Sequence, residues 1–390
     1  MTTNLPDIDL TLGAKEKVKT RFLLVPEDAL RFNNLNFIRS LLALVVLFCH
    51  CFVIYYGTEK EVEPFYVWSD GQISMGTFAV NYFFVISGFL ILLSWDKQPK
   101  LGKYLWKRII RIYPAFIVVS LLCLFLFAPL GTGDFFRPFG YWQLYFKSID
   151  WELIPKNLLL LNEPRAPWVF KNAPITNSLN ASLWTIKFEF MCYLIIPLLA
   201  LIGMFRSRIF SAILFVEVYV IYVYQYYTNS TFWGWQEFPI IGKPDMLIQF
   251  LTFFSAGMAL YMYRELIPRS RWFFLVSVIA MIVSMFFVKA LVVTLPIFGS
   301  YVLFHIAFAR SYSLKGFAKW GDFSYGIYLF AWPIQQLILL YLEKYMDVAL
   351  LFILSTSITL CFAFVSWHYI EQPSLRLKNF SFKKKKVETI

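Results

Sequence analysis

The sequence predicts an all-α protein, a polytopic integral membrane bundle of about ten transmembrane helices. Of its 390 residues, 59% are hydrophobic and only 15% are charged, which is too apolar for a soluble globular protein. Several apolar segments reach the roughly 18 residues that a spanning helix needs, and they are continuous rather than alternating, which disfavours a β-barrel. Lysines and arginines gather beside these segments, as the positive-inside rule expects.

The predicted domains follow from where the apolar segments begin and end. Residues 1–36 are expected to form a cytoplasmic segment, residues 37–371 a transmembrane domain, and residues 372–390 a basic cytoplasmic tail. Segments of membrane length predict ten spans, at about residues 37–56, 76–95, 112–130, 183–201, 209–227, 246–263, 272–288, 291–309, 323–342 and 348–370. Because this number is even, both termini are predicted to lie on the same side of the membrane. The basic short loops indicate that this side is the cytoplasm.

Charge assigns the loops to the two sides of the membrane. The acidic loop 57–71 and the long regions 131–182 and 228–245 are predicted to lie outside. The loop after the second span is basic and is predicted to lie inside; its bases are Lys97, Lys100, Lys103, Lys107, Arg108 and Arg111. Tryptophans of the outside loops are expected either to stack on a sugar or to anchor the interface: Trp142, Trp151, Trp168, Trp233 and Trp235.

The net charge of +12 is attributed to the membrane and not to nucleic acid, since no nucleic-acid recognition motif accompanies it. The tail Lys383–Lys386 is predicted to face anionic membrane lipids. The sequence has no metal-ligand cluster, phosphate-cradling glycine loop or redox-cofactor motif, so no metal or redox cofactor is expected. Five cysteines in apolar segments are predicted to pack as small core residues: Cys49, Cys51, Cys123, Cys192 and Cys361.

The first span carries Arg39 at its start and His50 deep inside it. Eleven residues are about three helical turns, so the two side chains are predicted to share nearly one face, roughly 16 Å apart along the axis. Polar groups are costly in hydrocarbon and are therefore functional candidates. His50 is predicted to act as a general base or a nucleophile, unless it only forms a packing hydrogen bond between helices. Arg39 either serves the site or extends to the membrane surface.

A basic group precedes the third span. Arg108 and Arg111 are three residues apart, hence neighbours on a helix face, and with Lys107 they either bind phosphate groups or only orient the span. Glu189 lies in the fourth span, and it is predicted to belong either to the site or to a structural pair.

Other polar residues of the spans are predicted to be structural. Ser87 and Gly88 are expected to allow close contact between helices. His305 and His368 are expected to pack within their spans, and Glu371 is expected to pair with a nearby base.

Taken in order, these motifs resemble the acyltransferase-3 family over about residues 32–380. The resemblance rests on the first-span arginine and histidine and on Phe83–Phe89, Lys107–Pro114, Leu183–Glu189, Phe323–Leu329 and Ser366–Pro373. It implies an integral enzyme of the bacterial inner membrane. Such enzymes move acyl groups, usually acetyl, from acyl-CoA on the cytoplasmic side to sugars of surface polysaccharides or lipopolysaccharide.

The resemblance also implies roles for particular residues. By position, the expected catalytic residues are His50, Arg39 and Glu189, and the expected acyl-CoA-binding residues are Arg108, Arg111 and Lys107. The sequence departs from the family in two places. Ala331 stands where many members have a histidine, and Asn81 stands where many have an acidic residue. The resemblance further implies the version without an appended soluble esterase-like domain.

The function predicted from these observations is O-acylation, most often acetylation, of a hydroxyl of a cell-surface or exported glycan with acetyl-CoA as donor. Direct proton abstraction by His50 and transfer through an acyl-histidine are both open. The alternative is a transporter or flippase of a lipid-linked sugar, which intramembrane histidine, arginine and glutamate favour and the lack of an internal repeat disfavours. A third interpretation is a structural subunit of a polysaccharide export complex.

Overall fold

A computed structural model describes residues 23–25, 34–58, 62–132, 140–164, 166, 169–171, 173–176, 178–228, 238, 241–309, 314 and 319–379. Within these ranges the chain is mainly helical and forms no β-strand. Extended pairing there is limited to two isolated bridges, Leu23 with Pro268 and Phe238 with Gly242. The predicted all-α class is therefore confirmed.

Nine helices in the described ranges are long and apolar enough to cross a membrane. They are α1 (Leu35–Tyr56), α2 (Met75–Lys97), α3 (Leu101–Gly131), α4 (Ala181–Leu201), α5 (Arg208–Thr228), α6 (Pro244–Met262), α7 (Arg271–Val288), α9 (Ser324–Tyr345) and α10 (Val348–Arg376). The predicted eighth span is a shorter apolar helix, α8 (Leu291–Ala307). The prediction of a polytopic helical membrane protein is confirmed.

The third helix differs from its predicted span. Its span was predicted to begin near residue 112, whereas α3 begins at Leu101. Lys103, Lys107, Arg108 and Arg111 therefore lie in the first turns of a helix and not in a loop. An apolar window marks the part of a helix that suits hydrocarbon, but lysine and arginine are themselves good helix formers, so the helix continues beyond that window.

A tight turn joins α7 to α8. Lys289 has a left-handed backbone with φ of 53°, and its side chain forms an ion pair with Asp70. That carboxylate raises the pKa of the Lys289 ammonium group. Gln72 fixes the same turn, since its amide nitrogen donates to Met285 O at 2.9 Å and its amide oxygen accepts from Leu291 N at 2.7 Å.

Short helices lie between the spans. Residues Pro64–Trp68 form one turn that starts at Glu63, whose carboxylate is fully buried and accepts hydrogen bonds from the backbone of Phe65 and Tyr66. The long region between α3 and α4 contains the helices Gly140–Ser148 and Leu153–Leu159. The assignment of these regions to the outer side, like the predicted bounds of the three domains, stays a prediction.

The chain divides into two compact units. The first comprises residues 1–42, 60–93 and 199–321, and the second comprises residues 43–59, 94–198 and 322–390. The first unit thus holds most of α2 and all of α5 to α8, and the second holds α3, most of α4, α9 and α10. Helix α1 contributes its start to the first unit and its larger part, including His50, to the second.

In the first unit, two glycines bring α2 and α6 together. A Cβ atom on Gly88 would lie 1.9 Å from Phe254 O, and one on Gly257 would lie 2.0 Å from Val85 O. Only glycine allows the two backbones to approach so closely. Small residues have this role at many helix contacts in membranes. The prediction that Gly88 serves helix contact is confirmed.

Asn81, which stands where many family members have an acidic residue, lies on the same helix pair. It is fully buried in α2, and its amide oxygen accepts a hydrogen bond from Gln249 Nε2 of α6 at 3.0 Å. An amide therefore meets an amide at this position, and no charge is buried there.

In the second unit, a proline shapes α9. Pro333 has no N–H, so it cannot bond to the carbonyl of Leu329 four residues earlier. Asn180 supplies the missing donor, because its Nδ2 lies 2.7 Å from Leu329 O. The fully buried Asn180 therefore fixes the segment before α4 against α9.

Helix α4 repeats this arrangement. Pro197 leaves the carbonyl of Tyr193 without its helical donor. The hydroxyl of Tyr104 in α3 donates to Tyr193 O at 2.8 Å, and both tyrosines are buried. A side chain from outside the helix thus completes the backbone hydrogen bonding at each of these two prolines.

The cysteines mostly lie where the sequence predicts. Cys49, Cys51, Cys123 and Cys192 are buried, and none of the described cysteines forms a disulfide. Cys361 is the exception, because it lies on an exposed face of α10. An apolar segment of membrane length does not by itself separate the face turned to other helices from the face turned outward.

Candidate active site

His50 lies in the part of α1 that belongs to the second unit, and it faces α9 of that unit. Its ring packs edge-on against Trp332, with ring centroids 4.9 Å apart and planes at 83°. The side chain is half-buried, whereas its Nδ1 atom is buried and has no hydrogen-bond partner among the described residues. His50 therefore lies against another helix, as a reacting histidine must if it is to be shielded from lipid.

Trp332 directly follows Ala331, the residue that stands in place of the family histidine. Both are almost fully buried in α9. The indole Nε1 of Trp332 is also buried without a hydrogen-bond partner in the described ranges. At this turn of α9 it is the tryptophan, and not a histidine, that contacts His50.

Arg39 is half-buried near the start of α1. The helix is continuous from Leu35 to Tyr56, so the predicted spacing of about three turns along one helix holds. Arg39 belongs to the first unit and His50 to the second, and the predicted catalytic role of Arg39 stays a prediction.

Arg108 lies in α3 between two aromatic rings. Its guanidinium carbon is 5.6 Å from the centroid of the Tyr104 ring and 5.6 Å from that of Tyr193. Its Nη2 donates to Ser94 Oγ at 3.3 Å, and its buried Nε has no hydrogen-bond partner among the described residues. No acidic side chain in the described ranges forms an ion pair with it. Arg108 is therefore held in place by aromatic contacts while its charge is not neutralised by a carboxylate.

Glu189 of α4 meets the same tyrosine. The hydroxyl of Tyr193 donates a hydrogen bond to Glu189 Oε1. Tyr193 thus offers its ring face to Arg108 and its hydroxyl to Glu189. Two of the residues predicted for the site, one for acyl-CoA binding and one for catalysis, are brought together by a residue that the sequence did not single out.

Arg111 has a different environment from Arg108. Its Nη2 lies 2.8 Å from Asp322 Oδ2 and its Nη1 lies 3.5 Å from Glu371 Oε2. Its guanidinium carbon is also 5.5 Å from the centroid of the Tyr325 ring. The prediction that Glu371 pairs with a base is confirmed. With two carboxylates beside it, Arg111 is far less suited to bind a phosphate group than Arg108.

Lys107 directly precedes Arg108 in α3 and is half-buried. Its ammonium group donates to Gln98 Oε1 at 2.9 Å. A glutamine oxygen carries no net charge, so this contact does not neutralise the positive charge of Lys107. The same is true of the contacts of Arg108.

Two other histidines were predicted to be structural, and that role stays a prediction. His305 lies in the last turn of α8; its carbonyl oxygen accepts a hydrogen bond from Arg269 Nη2 at 2.8 Å, and its buried Nδ1, like that of His50, has no hydrogen-bond partner among the described residues. The Nδ1 atom of His368 lies 2.9 Å from Phe364 O of its own helix.

Sequence reasoning missed Trp332, Gln335, Tyr193 and Asp322. One signal was available, because the pair Gln335–Gln336 interrupts an otherwise apolar span, and intramembrane polar residues mark functional or packing sites. Tyr193 and Asp322 had no comparable signal, since tyrosine is common throughout this chain and Asp322 precedes its helix.

Some predictions concern residues outside the described ranges. Trp168, Trp233, Trp235 and the lysines 383–386 are among them, as is the side chain of Trp142. Trp151 is described, and it is 53% exposed. In the described part of the chain, no three histidine, cysteine, aspartate or glutamate residues gather to hold a metal ion.

Comparison with known proteins identifies the family of the chain. A family model described as "Acyltransferase domain", acyltransferase 3, matches residues 32–368. A protein of Shigella phage Sf6 named "O-acetyl transferase" is 28% identical over 339 residues, which cover 86% of this chain and 93% of that protein. No solved structure matches the chain.

Proposed function

Since the chain belongs to the acyltransferase-3 family and its membrane-length helices are those of an integral membrane protein, we propose that it is an O-acetyltransferase of the bacterial inner membrane. Its donor is acetyl-CoA, and its acceptor is a hydroxyl group of a lipopolysaccharide, O-antigen or other exported glycan. The name of the phage relative supports the acetyl group. The basic loops support the orientation with both termini in the cytoplasm.

The observation that carries the proposal is the environment of His50. A histidine is found deep in a span, turned toward a helix of its own unit and in contact with Trp332. Packing alone would favour a hydrogen bond for each buried ring nitrogen, but Nδ1 has none among the described residues. The Nδ1 atom of His305 is unpartnered in the same way, and His50 is distinguished from it by its position in the first-span motif that carries the family resemblance.

Arg108 and Lys107 are the proposed donor-binding residues. Coenzyme A carries several phosphate groups, and arginine and lysine bind phosphate by charge-assisted hydrogen bonds. Both side chains lie near the start of α3, in the part of the chain that the positive-inside rule places in the cytoplasm. Arg111, which was also predicted to bind the donor, is instead proposed to join α3 to the ends of α9 and α10 through Asp322 and Glu371.

The transfer itself needs one lone pair on the imidazole. In the direct route, Nε2 of His50 takes the proton of the acceptor hydroxyl while the oxygen attacks the thioester carbonyl. The tetrahedral intermediate then breaks its C–S bond, and the CoA thiolate takes the proton back from the imidazolium.

In the two-step route, Nε2 attacks the thioester and the C–S bond breaks, so that CoA leaves as a thiolate and the histidine becomes an acetyl-imidazolium that keeps its proton on Nδ1. The acceptor hydroxyl then attacks the acetyl carbon, the bond to Nε2 breaks to return neutral imidazole, and the hydroxyl proton passes to the thiolate. In both routes the products are an acetyl ester and free CoA. Rapid quenching of enzyme mixed with labelled acetyl-CoA separates them, since only the second route yields labelled protein before acceptor is added.

Glu189 is proposed to act through Tyr193. Its carboxylate fixes the tyrosine whose ring contacts Arg108. Glu189 would then keep the donor-binding arginine in place, and a direct catalytic role for it is not needed.

The decisive experiment compares wild-type protein with His50→Ala and His50→Gln in lipid nanodiscs. We expect acceptor-dependent release of CoA from wild type and none above background from either variant. In a host whose glycan is acetylated by the wild-type protein, replacing that protein by either variant should lower the mass of the glycan by one acetyl group per repeat. Unchanged acetylation in a variant that inserts and folds normally would reject the role of His50. Movement of a lipid-linked sugar without CoA release would support a transporter instead.

A further inference from the structure

Gln335 of α9 is fully buried, and its amide nitrogen donates a hydrogen bond to α1. Nε2 donates to Leu47 O at 2.8 Å and lies 3.0 Å from Cys51 Sγ. These two residues flank His50: Leu47 is almost one turn before it and Cys51 follows it directly. Because a backbone carbonyl only accepts hydrogen bonds, the nitrogen of the amide must face Leu47, and this fixes where the oxygen lies.

Two complementary polar atoms remain at this contact. Gln335 Oε1 is buried and has no hydrogen-bond partner in the described ranges, and the same is true of His50 Nδ1. An amide oxygen can only accept, whereas Nδ1 donates when the neutral imidazole carries its proton there. Both atoms belong to the second unit, and each supplies what the other lacks.

Trp332 restricts the same imidazole from a neighbouring position on α9. It precedes Gln335 by three residues, so the two side chains lie close together on one face of the helix. Its ring meets that of His50 nearly at a right angle. Rotation of the imidazole is therefore limited by one residue and directed by the other.

We propose that Gln335 is a positioning residue for His50, with Oε1 accepting a hydrogen bond from Nδ1–H so that Nε2 keeps its lone pair for the reacting atoms. The inference rests on the proposed function for its consequence in catalysis. The two atoms do not form this bond in the structure, so the inference requires that the imidazole turn until Nδ1–H meets Oε1, in the enzyme at rest as well as in the complex. A fixed tautomer is useful to both transfer routes, since both begin at Nε2.

The chain contains a matched control for this residue. Gln336 is also fully buried in α9, its Nε2 donates to a backbone carbonyl, Ile175 O, at 3.0 Å, and its Oε1 is likewise unpartnered among the described residues. It differs in that its donor bond goes to the segment before α4 and not to the helix of His50. Gln335→Met and Gln336→Met therefore remove equivalent groups, and only the first touches the proposed contact.

The tautomer of His50 tests the inference without any enzyme assay. The chain has only three histidines, so a His305→Gln, His368→Gln background labelled with ¹⁵N-histidine isolates the signals of His50 in solid-state spectra of the protein in lipid. We expect neutral His50 to be protonated at Nδ1 in this background and in Gln336→Met. In Gln335→Met this preference should disappear. Protonation at Nε2 before the change, or an unchanged tautomer after it, would overturn the inference.

Kinetics provide the second readout. Gln335→Met should lower kcat at least about tenfold to a hundredfold, the effect seen when a group that orients a metal-bound histidine is removed, and should leave the KM for acetyl-CoA unchanged. Gln336→Met should change kcat and KM much less than Gln335→Met changes kcat. If Gln335→Met does not fold, Gln335→Asn, which retracts the amide by one methylene, should show the same two effects. Wild-type protein that releases no CoA with any acceptor would reject the proposed function, while the spectra would still decide the role of Gln335.

Discussion

Arg111 of α3 and Asp322, which lies two residues before α9, form an ion pair of 2.8 Å although 211 residues separate them in the chain. Asp322 also accepts hydrogen bonds from the backbone and hydroxyl of Ser324 at the start of α9. Glu371, with a side chain only 2% exposed, completes the group. One arginine therefore connects three helices of the second unit.

Loss of Arg111 should destabilise the protein more than loss of either carboxylate. Arg111→Gln leaves the buried Glu371 and the partly buried Asp322 without their counter-charge, and we expect a cost of about 3–5 kcal/mol. Asp322→Asn leaves the Glu371 pair intact and should cost less. Thermal unfolding in detergent measures both. Arg208→Gln, which breaks a half-exposed ion pair with Glu265, is the control and should cost under about 1 kcal/mol. Equal losses for Arg111 and Arg208 would contradict the proposed structural role.

Arg108 should determine the affinity for the donor. A charge-assisted hydrogen bond to phosphate is worth about 1.5–3 kcal/mol, so Arg108→Gln should raise the KM for acetyl-CoA roughly ten- to a hundredfold or slightly more. Initial rates at varied acetyl-CoA provide the measurement. Acetyl-phosphopantetheine, which lacks most of the phosphate groups, should lose far less on the same substitution. If both donors respond alike, Arg108 does not bind phosphate.

The proline at α9 makes a prediction about two coupled substitutions. Asn180→Ala removes the donor to Leu329 O, and a buried carbonyl without a partner costs about 1–3 kcal/mol. Pro333→Ala restores the N–H that this carbonyl lacks. Unfolding temperatures of the two single variants and the double variant form a cycle in which Asn180→Ala should cost less when residue 333 is alanine. Strict additivity would mean that the two residues do not share this carbonyl.

Two glycines should respond oppositely to the same added methyl group. Gly88→Ala places a Cβ atom 1.9 Å from Phe254 O, so α2 and α6 must separate, at a cost of about 1–3 kcal/mol. Gly102→Ala in α3 meets no atom within 4 Å and should stabilise the helix by up to about 1 kcal/mol. Both are read from thermal unfolding of the purified protein. A stable Gly88→Ala variant would show that this crossing is looser than described.

The helices could be predicted well because hydropathy is a local property of the chain. Each of the ten predicted spans coincides with a helix, and the largest error was at α3, where charged helix formers extend the helix toward Leu101. His50, Arg108 and Glu189 could be selected because polar residues are rare in spans.

Their partners could not be predicted in the same way. Gln335 lies 284 residues from Cys51 in the chain, and no periodicity relates residues so far apart. The different surroundings of Arg108 and Arg111 are a similar case. Spacing makes the two arginines equivalent, and only Asp322 and Glu371, which arrive from other helices, distinguish them.

His50 is far in the sequence from the residues that surround it in the fold, and this has a consequence for biosynthesis. At about 5–20 residues per second, the ribosome adds Trp332 and Gln335 to the chain roughly a quarter of a minute to a minute after it has added His50. During that interval the first helix is already made, but the surroundings that equip its imidazole for chemistry are still missing. A nascent or prematurely terminated chain that lacks α9 should consequently be inert, so that acetyl transfer begins only when nearly the whole protein has entered the bilayer.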